Sequence, residues 1–243
     1  MPSSSIPSGP KRDPRPEARI GAVDLLARLN DRQREAVTHG NGPLLVLAGA
    51  GSGKTRAITH RIAWLVRERG VAPERIVAVT FTNKAASQMR DRVRGLLGAA
   101  TFESWIGTFH ALCLRILRRD GARIGLAPGF NIYDTDDQLA LVKRTLKSEG
   151  LDDGSRTPRS FLSRISTFKN AMQRPDEVTA HAYNPEAKTM AAVFAAYEDG
   201  LHRANAVDFD DLLVRTLDLF KAAPELAEPS TKRSARRSPQ RVF

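Results

Sequence analysis

The stretch Leu44-Leu-Val-Leu-Ala-Gly-Ala-Gly-Ser-Gly-Lys-Thr55 decides how the rest of this 243-residue sequence is read. Its consecutive apolar residues, 44–47, predict a first core strand of the kind covered on both faces in a parallel sheet. Gly49, Gly51 and Gly53 predict a turn with positive φ whose backbone comes close to a ligand. A helix begins near Lys54, so successive N–H groups point into one concavity at its positive end, a cradle for a polyphosphate. Residues Ala48, Gly49, Ala50, Gly51, Ser52, Gly53, Lys54 and Thr55 match G-x-x-x-x-G-K-[ST] with a small residue in the first place. Lys54 would reach the β- and γ-phosphates of a nucleoside triphosphate and the Thr55 hydroxyl would ligate Mg²⁺, which makes these two the candidate catalytic residues.

Upstream of this stretch, residues 1–20 are rich in Ser, Pro and charge and predict a disordered tail. Residues 25–37 read as one helix or two short ones, with Asn30 as N-cap. Downstream, residues 54–69 predict a helix whose buried stripe is Ile58, Ile62, Leu65 and Val66, ended by Gly70. Residues 75–81 predict a second buried strand. Asn83 is the expected cap of the next helix, which presents Ala86, Met89 and Val93 inward and closes at Gly98. A short strand over 104–107 and a helix over 110–119 follow. Strand–helix order repeated around a phosphate loop predicts a parallel α/β sheet with the ligand at the carboxyl ends of the strands.

Near Gly121 the pattern changes to helical periodicity. Residues 136–149 (Leu139, Val142, Leu146), 158–172 (Phe161, Ile165, Phe168) and 186–202 (Met190, Val193, Phe194, Tyr197) each carry one apolar face. Residues 121–205 therefore read as a helical insertion, and 21–120 with 206–228 as the α/β domain around it. Asp208, Asp210 and Asp211 predict a helix start favoured by its dipole rather than a metal site. Residues 229–243 are Ser, Arg, Lys and Pro with almost no apolar residue. They predict a basic disordered tail, unable to form a strand, either solvated or serving in nucleic-acid binding or targeting.

Composition narrows the classes. Net charge is +11, but residues 230–243 hold +5 of it and residues 1–20 hold +2, so the charge is compatible with a polyanionic partner without establishing one. The single cysteine, Cys113, excludes an intrachain disulfide and points to a reducing, cytoplasmic setting. No apolar run is long enough for a membrane span. The scattered histidines and Cys113 suggest no zinc site.

Four further stretches sharpen the phosphate loop: Leu29-Asn-Asp-Arg-Gln-Arg-Glu-Ala-Val37, Ala78-Val-Thr-Phe-Thr-Asn-Lys-Ala-Ala86, Gly107-Thr-Phe-His110 and Val207-Asp-Phe-Asp-Asp-Leu-Leu213. With Ala48–Arg56 they resemble the UvrD/Rep/PcrA family of superfamily 1 DNA helicases, over nearly four-fifths of the chain. The resemblance implies a RecA-like P-loop NTPase sheet with an inserted helical 1B subdomain, ATP and Mg²⁺ as cofactors, single-stranded DNA as partner and 3′→5′ translocation. It implies that Gln33 reads adenine, its amide offering both donor and acceptor, and that Arg56 contacts the nucleotide. It places Phe81, Thr82 and Asn83, and Thr108, Phe109 and His110, on the DNA path, where an exposed aromatic can stack on a base. Taken alone, Gln33 and Arg56 are helix-surface residues, Phe81 is equally a core phenylalanine and His110 a cap or surface histidine. Lys169 and Asn170 are the tempting polar pair of the helical segment. The family's Walker B strand, followed by Asp-Glu-x-Gln-Asp, has no counterpart in this sequence, and the second RecA-like domain with its catalytic arginine is likewise expected to lie outside it. The expectation is therefore the amino-terminal part of a helicase, incomplete in its sheet and alone deficient in ATP turnover. The alternative is a non-catalytic nucleotide- and single-strand-binding module.

Overall fold

The computed structural model describes residues 24–98, 105–151 and 157–226, and the backbone of 240–241. The predicted tail 1–20 lies outside the described residues, as does most of 229–243.

The chain enters through α1 (Asp31–Thr38), capped by Asn30, and continues through the phosphate loop into α2 (Lys54–Arg67). Strand β1 (Ile76–Thr80), helix α3 (Asn83–Leu97), strand β2 (Trp105–Thr108) and helix α4 (Phe109–Asp120) follow. β1 and β2 pair in parallel, Val77 beside Trp105 and Thr80 beside Thr108. Ile62 and Leu65 of α2, Ile76 and Ala78 of β1, Met89 and Val93 of α3 and Ile106 of β2 share one core. The predicted apolar stripes are the ones buried, because packing each helix on the sheet removes that stripe from water. The cap of α3 is Thr82, not Asn83: its hydroxyl accepts the Ala85 N–H at 3.1 Å, leaving Asn83 as the first helical residue.

Two expectations about the sheet are corrected. Residues 44–47 form no strand; Leu45 and Leu47 are 81% and 86% exposed, and among the described residues no strand pairs with them. A parallel strand is stable only with backbone partners beside it and layers over its faces. The apolar run has neither here. Conversely, the basic carboxyl-terminal stretch does contribute pairing. β5 (Gln240–Arg241) lies parallel to β1, with Gln240 beside Ile76 and Arg241 beside Val77. The edge of β1 is a row of N–H and C=O groups that accepts backbone whatever its side chains.

The remaining elements are β3 (Asn131–Ile132), α5 (Thr135–Ser148), α6 (Pro158–Asn170), α7 (Pro175–Ala180), α8 (Pro185–Arg203), β4 (Ala206–Val207) and α9 (Phe209–Ala222). Helices α5 to α8 enclose their own core around Val142, Phe161, Ile165, Phe194 and Tyr197. β3 and β4, each two residues long, pair in parallel and bring the chain back beside α4. There Cys113 and Leu117 pack with Phe130, Val207, Leu212 and Leu219.

The α5–α8 contact is tight at Gly200, where an added Cβ would stand 2.7 Å from Leu141 Cδ1. Gly200→Ala gains about 1 kcal/mol of helix propensity, but the buried Leu141 side chain, met at Cδ1, Cδ2 and Cγ together, would have to shift, an overpacking that costs about 1–3 kcal/mol. Net destabilisation is expected, read as a lower urea midpoint with an unchanged slope.

Candidate functional site

The phosphate loop is held by backbone turns and by α1. Gly51 and Gly53 take φ of 75° and 84°; Gly49, expected to do the same, does not. Ser52 closes the turn, its hydroxyl donating to the Gly49 carbonyl at 2.7 Å. The Lys54 ammonium donates to the carbonyls of Ala48 and Gly49 at 2.7 Å each, so its charge already lies over the loop. Thr55, next on α2, is exposed.

Gln33 braces this loop. Its backbone N–H donates to Asn30 Oδ1 at 2.9 Å and its side-chain carbonyl accepts the Asn30 N–H at 3.2 Å, a reciprocal capping box. Its amide Nε2 donates to the Ser52 carbonyl at 2.9 Å. The amide retains one N–H and one lone pair for a further partner. At Gly53 a side chain would be strained by the φ of 84°, and its Cβ, 2.5 Å from Gln33 Nε2, would push the Gln33 amide off the Ser52 carbonyl. Arg56 extends its guanidinium toward the Arg28 carbonyl at 3.5 Å.

A cavity of about 1050 Å³ opens beside the loop, lined by Gln33, Gly51 to Arg56, Arg28, Thr59, His60 and Arg92, among others. Its basic groups come from α1's approach, from α2 and from α3, and none of its lining residues is acidic. Burial, aided by the Arg56 charge, holds His60 below the usual imidazole value, which favours its neutral form. Arg92 and His60 were not singled out by motif. They become visible only when α3 is packed beside α2.

The second set of candidate residues sits where β1 and β2 end. Phe81 is 89% exposed, which removes the core-phenylalanine alternative. Its ring centroid is 6.0 Å from that of Phe109, also exposed. His110, next in sequence, lies 5.7 Å from the ring of Phe209 on α9. Phe209 was not singled out either, although an aromatic at the first position of a helix whose apolar stripe begins later is the available signal. Thr82 and Thr108 cap α3 and α4, each hydroxyl accepting a backbone N–H, at 3.1 and 3.2 Å respectively. Asn83 is exposed beside them. The aromatic row thus lies at the amino-terminal ends of α3, α4 and α9; α3 and α4 have no acid in their first turns, so their remaining N–H groups favour anions, whereas α9 starts with Asp208, Asp210 and Asp211.

One expected surface pair is corrected. Lys169 is 3% exposed and its Nζ lies 2.6 Å from Glu198, 2.7 Å from Asp208 and 2.9 Å from Asp211. It is interior, and so unavailable to DNA. Asn170 donates to the Ser166 carbonyl at 2.8 Å and to Asp210 at 3.4 Å. Asp208 caps α9 reciprocally with Asp211.

Compared with known proteins, residues 29–235 match the model of the UvrD/REP helicase N-terminal domain. This chain belongs to that family. Among its relatives it is 45% identical over 204 residues to the ATP-dependent DNA helicase PcrA of Staphylococcus aureus (strain Mu50 / ATCC 700699), covering 84% of this chain and 28% of the relative. Against the ATP-dependent DNA helicase PcrA of Bacillus subtilis (strain 168) the identity is 48% over the same length and coverage. Against that of Leuconostoc citreum it is 50% over 199 residues, 82% of this chain and 27% of the relative. The chain therefore spans little more than a quarter of the length of these relatives. Among the described residues no helix is long and apolar enough to cross a membrane.

Proposed function

We propose that this chain is the ATP-binding and single-stranded-DNA-binding portion of a 3′→5′ DNA helicase acting in the cytoplasm. The observation that carries the proposal is the row of exposed Phe81, Phe109 and Phe209 with the half-buried His110 between them, at helix amino termini in a chain that also holds a phosphate loop. Bases stack on such aromatics without sequence preference, at about 1–3 kcal/mol per base. The amino-terminal N–H groups of α3 and α4, Asn83 and the Thr82 hydroxyl take the phosphates; Thr108, expected on the DNA path, is buried and instead holds the start of α4.

The cavity residues fit a nucleoside triphosphate. Its lining is basic, two glycines hold positive φ, and Lys54 lies over the loop. Backbone N–H groups of 48–54 cradle the phosphates, Lys54 exchanges its carbonyl partners for the β- and γ-oxygens, and Gln33 and Arg56 hold the base end. Mg²⁺ would take the Thr55 hydroxyl, phosphate oxygens and water, its usual mixed shell; it supplies charge neutralisation on the phosphates when bound.

Hydrolysis needs more. Phosphoryl transfer rests on positioning and charge stabilisation, and among the described residues the cavity lining offers no carboxylate to orient water or complete the Mg²⁺ shell. That favours, for the isolated chain, the reading as a non-catalytic binding module, with turnover depending on the Walker B carboxylates and the arginine of a second RecA-like domain.

The test is ATP hydrolysis by the purified 243-residue chain with and without single-stranded DNA. Expected is DNA binding that weakens with salt and no hydrolysis at a helicase rate. DNA-stimulated hydrolysis abolished by Lys54→Ala would overturn the proposed deficiency, and absence of both nucleotide and DNA binding would overturn the binding assignment itself.

A further inference from the structure

The groups around Lys169 form one interior charge cluster assembled from three helices. Lys169 comes from α6, Tyr197 and Glu198 from α8, and Asp208, Asp211 and Arg215 from the start of α9 and its first turns. Besides the three Lys169 contacts, the Tyr197 hydroxyl donates to Asp208 Oδ2 at 3.0 Å and Arg215 meets Glu198 at 3.3 Å. Three carboxylates face Lys169 and Arg215, with Arg174 acting on Glu198 and Asp211 from the edge, and the inner three residues, Lys169, Asp208 and Asp211, are all buried. Removing two such ions from water is costly unless geometry and further hydrogen bonds repay it. An apolar set of the same volume would hold the helices together as well, so the cluster invites an explanation beyond stability.

Its placement supplies one. Asp208 immediately precedes Phe209, and its carboxylate does two things at once. Oδ1 accepts the Asp211 N–H at 2.8 Å, fixing the first turn of α9, while Oδ2 takes Lys169 and Tyr197. One residue further on, Asn170 of the same helix as Lys169 reaches Asp210. The residues on both sides of Phe209 are thus tied to α6, whereas Phe209 itself is exposed against His110. An N-cap held only by its own helix frays; one anchored to a buried ammonium does not.

We propose that Lys169 is a positioning residue for the single-strand surface: through Asp208 it fixes the start of α9 so that Phe209 stands beside His110 and completes the aromatic row. This rests on the assignment of that row to base stacking. It makes base binding depend on how α6 and α8 pack, although neither helix contributes a ring to the row.

The experiment uses the full chain, a fluorescein-labelled short oligo-dT read by anisotropy, a fluorescent ATP analogue, and the ring proton resonances of His110, assigned by their loss in His110→Gln. Phe209→Ala is expected to weaken oligo-dT binding roughly five- to a hundredfold. Lys169→Met should produce a loss of similar size, shift the His110 resonances in the direction Phe209→Ala shifts them, and leave the affinity for the ATP analogue unchanged. The Lys169→Met/Phe209→Ala pair should bind no more weakly than Phe209→Ala alone, since both remove the same ring from its place. Where Lys169→Met does not fold, Asp208→Asn takes its role in every comparison: it keeps an acceptor for the Asp211 N–H and loses the charge facing Lys169.

Wild-type His110 resonances with wild-type oligo-dT affinity in these variants would overturn the proposal, as would losses that multiply in the double variant. If Phe81→Ala and Phe209→Ala both bind oligo-dT as wild type does, the stacking assignment fails before Lys169 enters, and the proposal falls with it.

Discussion

Replacing Lys169 with methionine is expected to lower the unfolding free energy by about 3–5 kcal/mol at neutral pH, the usual cost of stranding buried charge. The variant leaves Asp208, Asp211 and Glu198 facing one another with only Arg215 and the more distant Arg174 to balance them. Asp208 and Asp211 are almost fully buried, so water cannot substitute for the lost ammonium. The pH dependence has a definite sign. Burial pushes the Asp211 carboxyl up to about 6 from its ordinary 3.8, against the opposing pull of Lys169. Burial pulls the Lys169 ammonium down, but Asp211, Asp208 and Glu198 outweigh it and hold its pKa above the ordinary value. Between 3.8 and about 6 the folded state binds a proton on Asp211 that the unfolded state does not, so this group's contribution falls as pH rises through that window. The Lys169 contribution is present throughout and is lost only above the ordinary lysine value of 10.5. Without Lys169 the carboxylates favour protonation still more, so the variant should recover part of its lost stability on going from neutral pH to pH 5. Urea unfolding at the two pH values checks this; a deficit equal at both, or larger at pH 5, would show that the three carboxylates are not coupled through Lys169.

Lys54→Ala is expected to weaken binding of an ATP analogue roughly ten- to a hundredfold, because a hydrogen bond to a charged group contributes about 1.5–3 kcal/mol. The ammonium rests on the Ala48 and Gly49 carbonyls, two neutral acceptors, and phosphate oxygens are the better partners for it. The loop should otherwise keep its shape, since the Gln33–Ser52 bond and the Ser52–Gly49 turn do not involve Lys54. Loss of nucleotide affinity with unchanged thermal stability is the outcome sought. An affinity within twofold of wild type would mean that Lys54 does not reach the phosphates.

Much of the architecture could be read from local pattern. The spacing of Ile62 and Leu65, of Met89 and Val93, and of Met190, Val193, Phe194 and Tyr197 announces which helix faces are buried, and those faces are buried. Asn30 and Gln33 announce a capped helix start, and it is there. What failed has a common cause. The run 44–47 has every intrinsic property of an interior strand, but pairing is a relation to a neighbour, and the neighbour is not a property of the run. Gln240 and Arg241 have none of those properties and pair because β1 offers an edge. The two-residue strands β3 and β4 are too short to show any period.

The site divides in the same way. Lys54, Thr55, Gln33 and Arg56 stand in or beside the phosphate loop by sequence proximity or motif, so their grouping was legible. Arg92 and Phe209 join the two surfaces only because α3 packs beside α2 and α9 beside α4. Lys169 is the clearest case. Beside Asn170, in a helix with charged neighbours, it reads as a surface residue. Its partners stand at 198, 208 and 211, on elements the local pattern cannot bring to it.

By itself, then, the amino-acid sequence determined the family, the phosphate-loop motif at residues 48–55 and the apolar faces of α2, α3, α5, α6 and α8, because these depend on residue type and spacing along one segment. The tertiary structure decided that the apolar run before the loop has no strand partner among the described residues, that Lys169 is interior, and that Phe209 stands with His110. Burial, charge pairing and ring contact are set between segments far apart in the chain, and only their packing determines which groups meet.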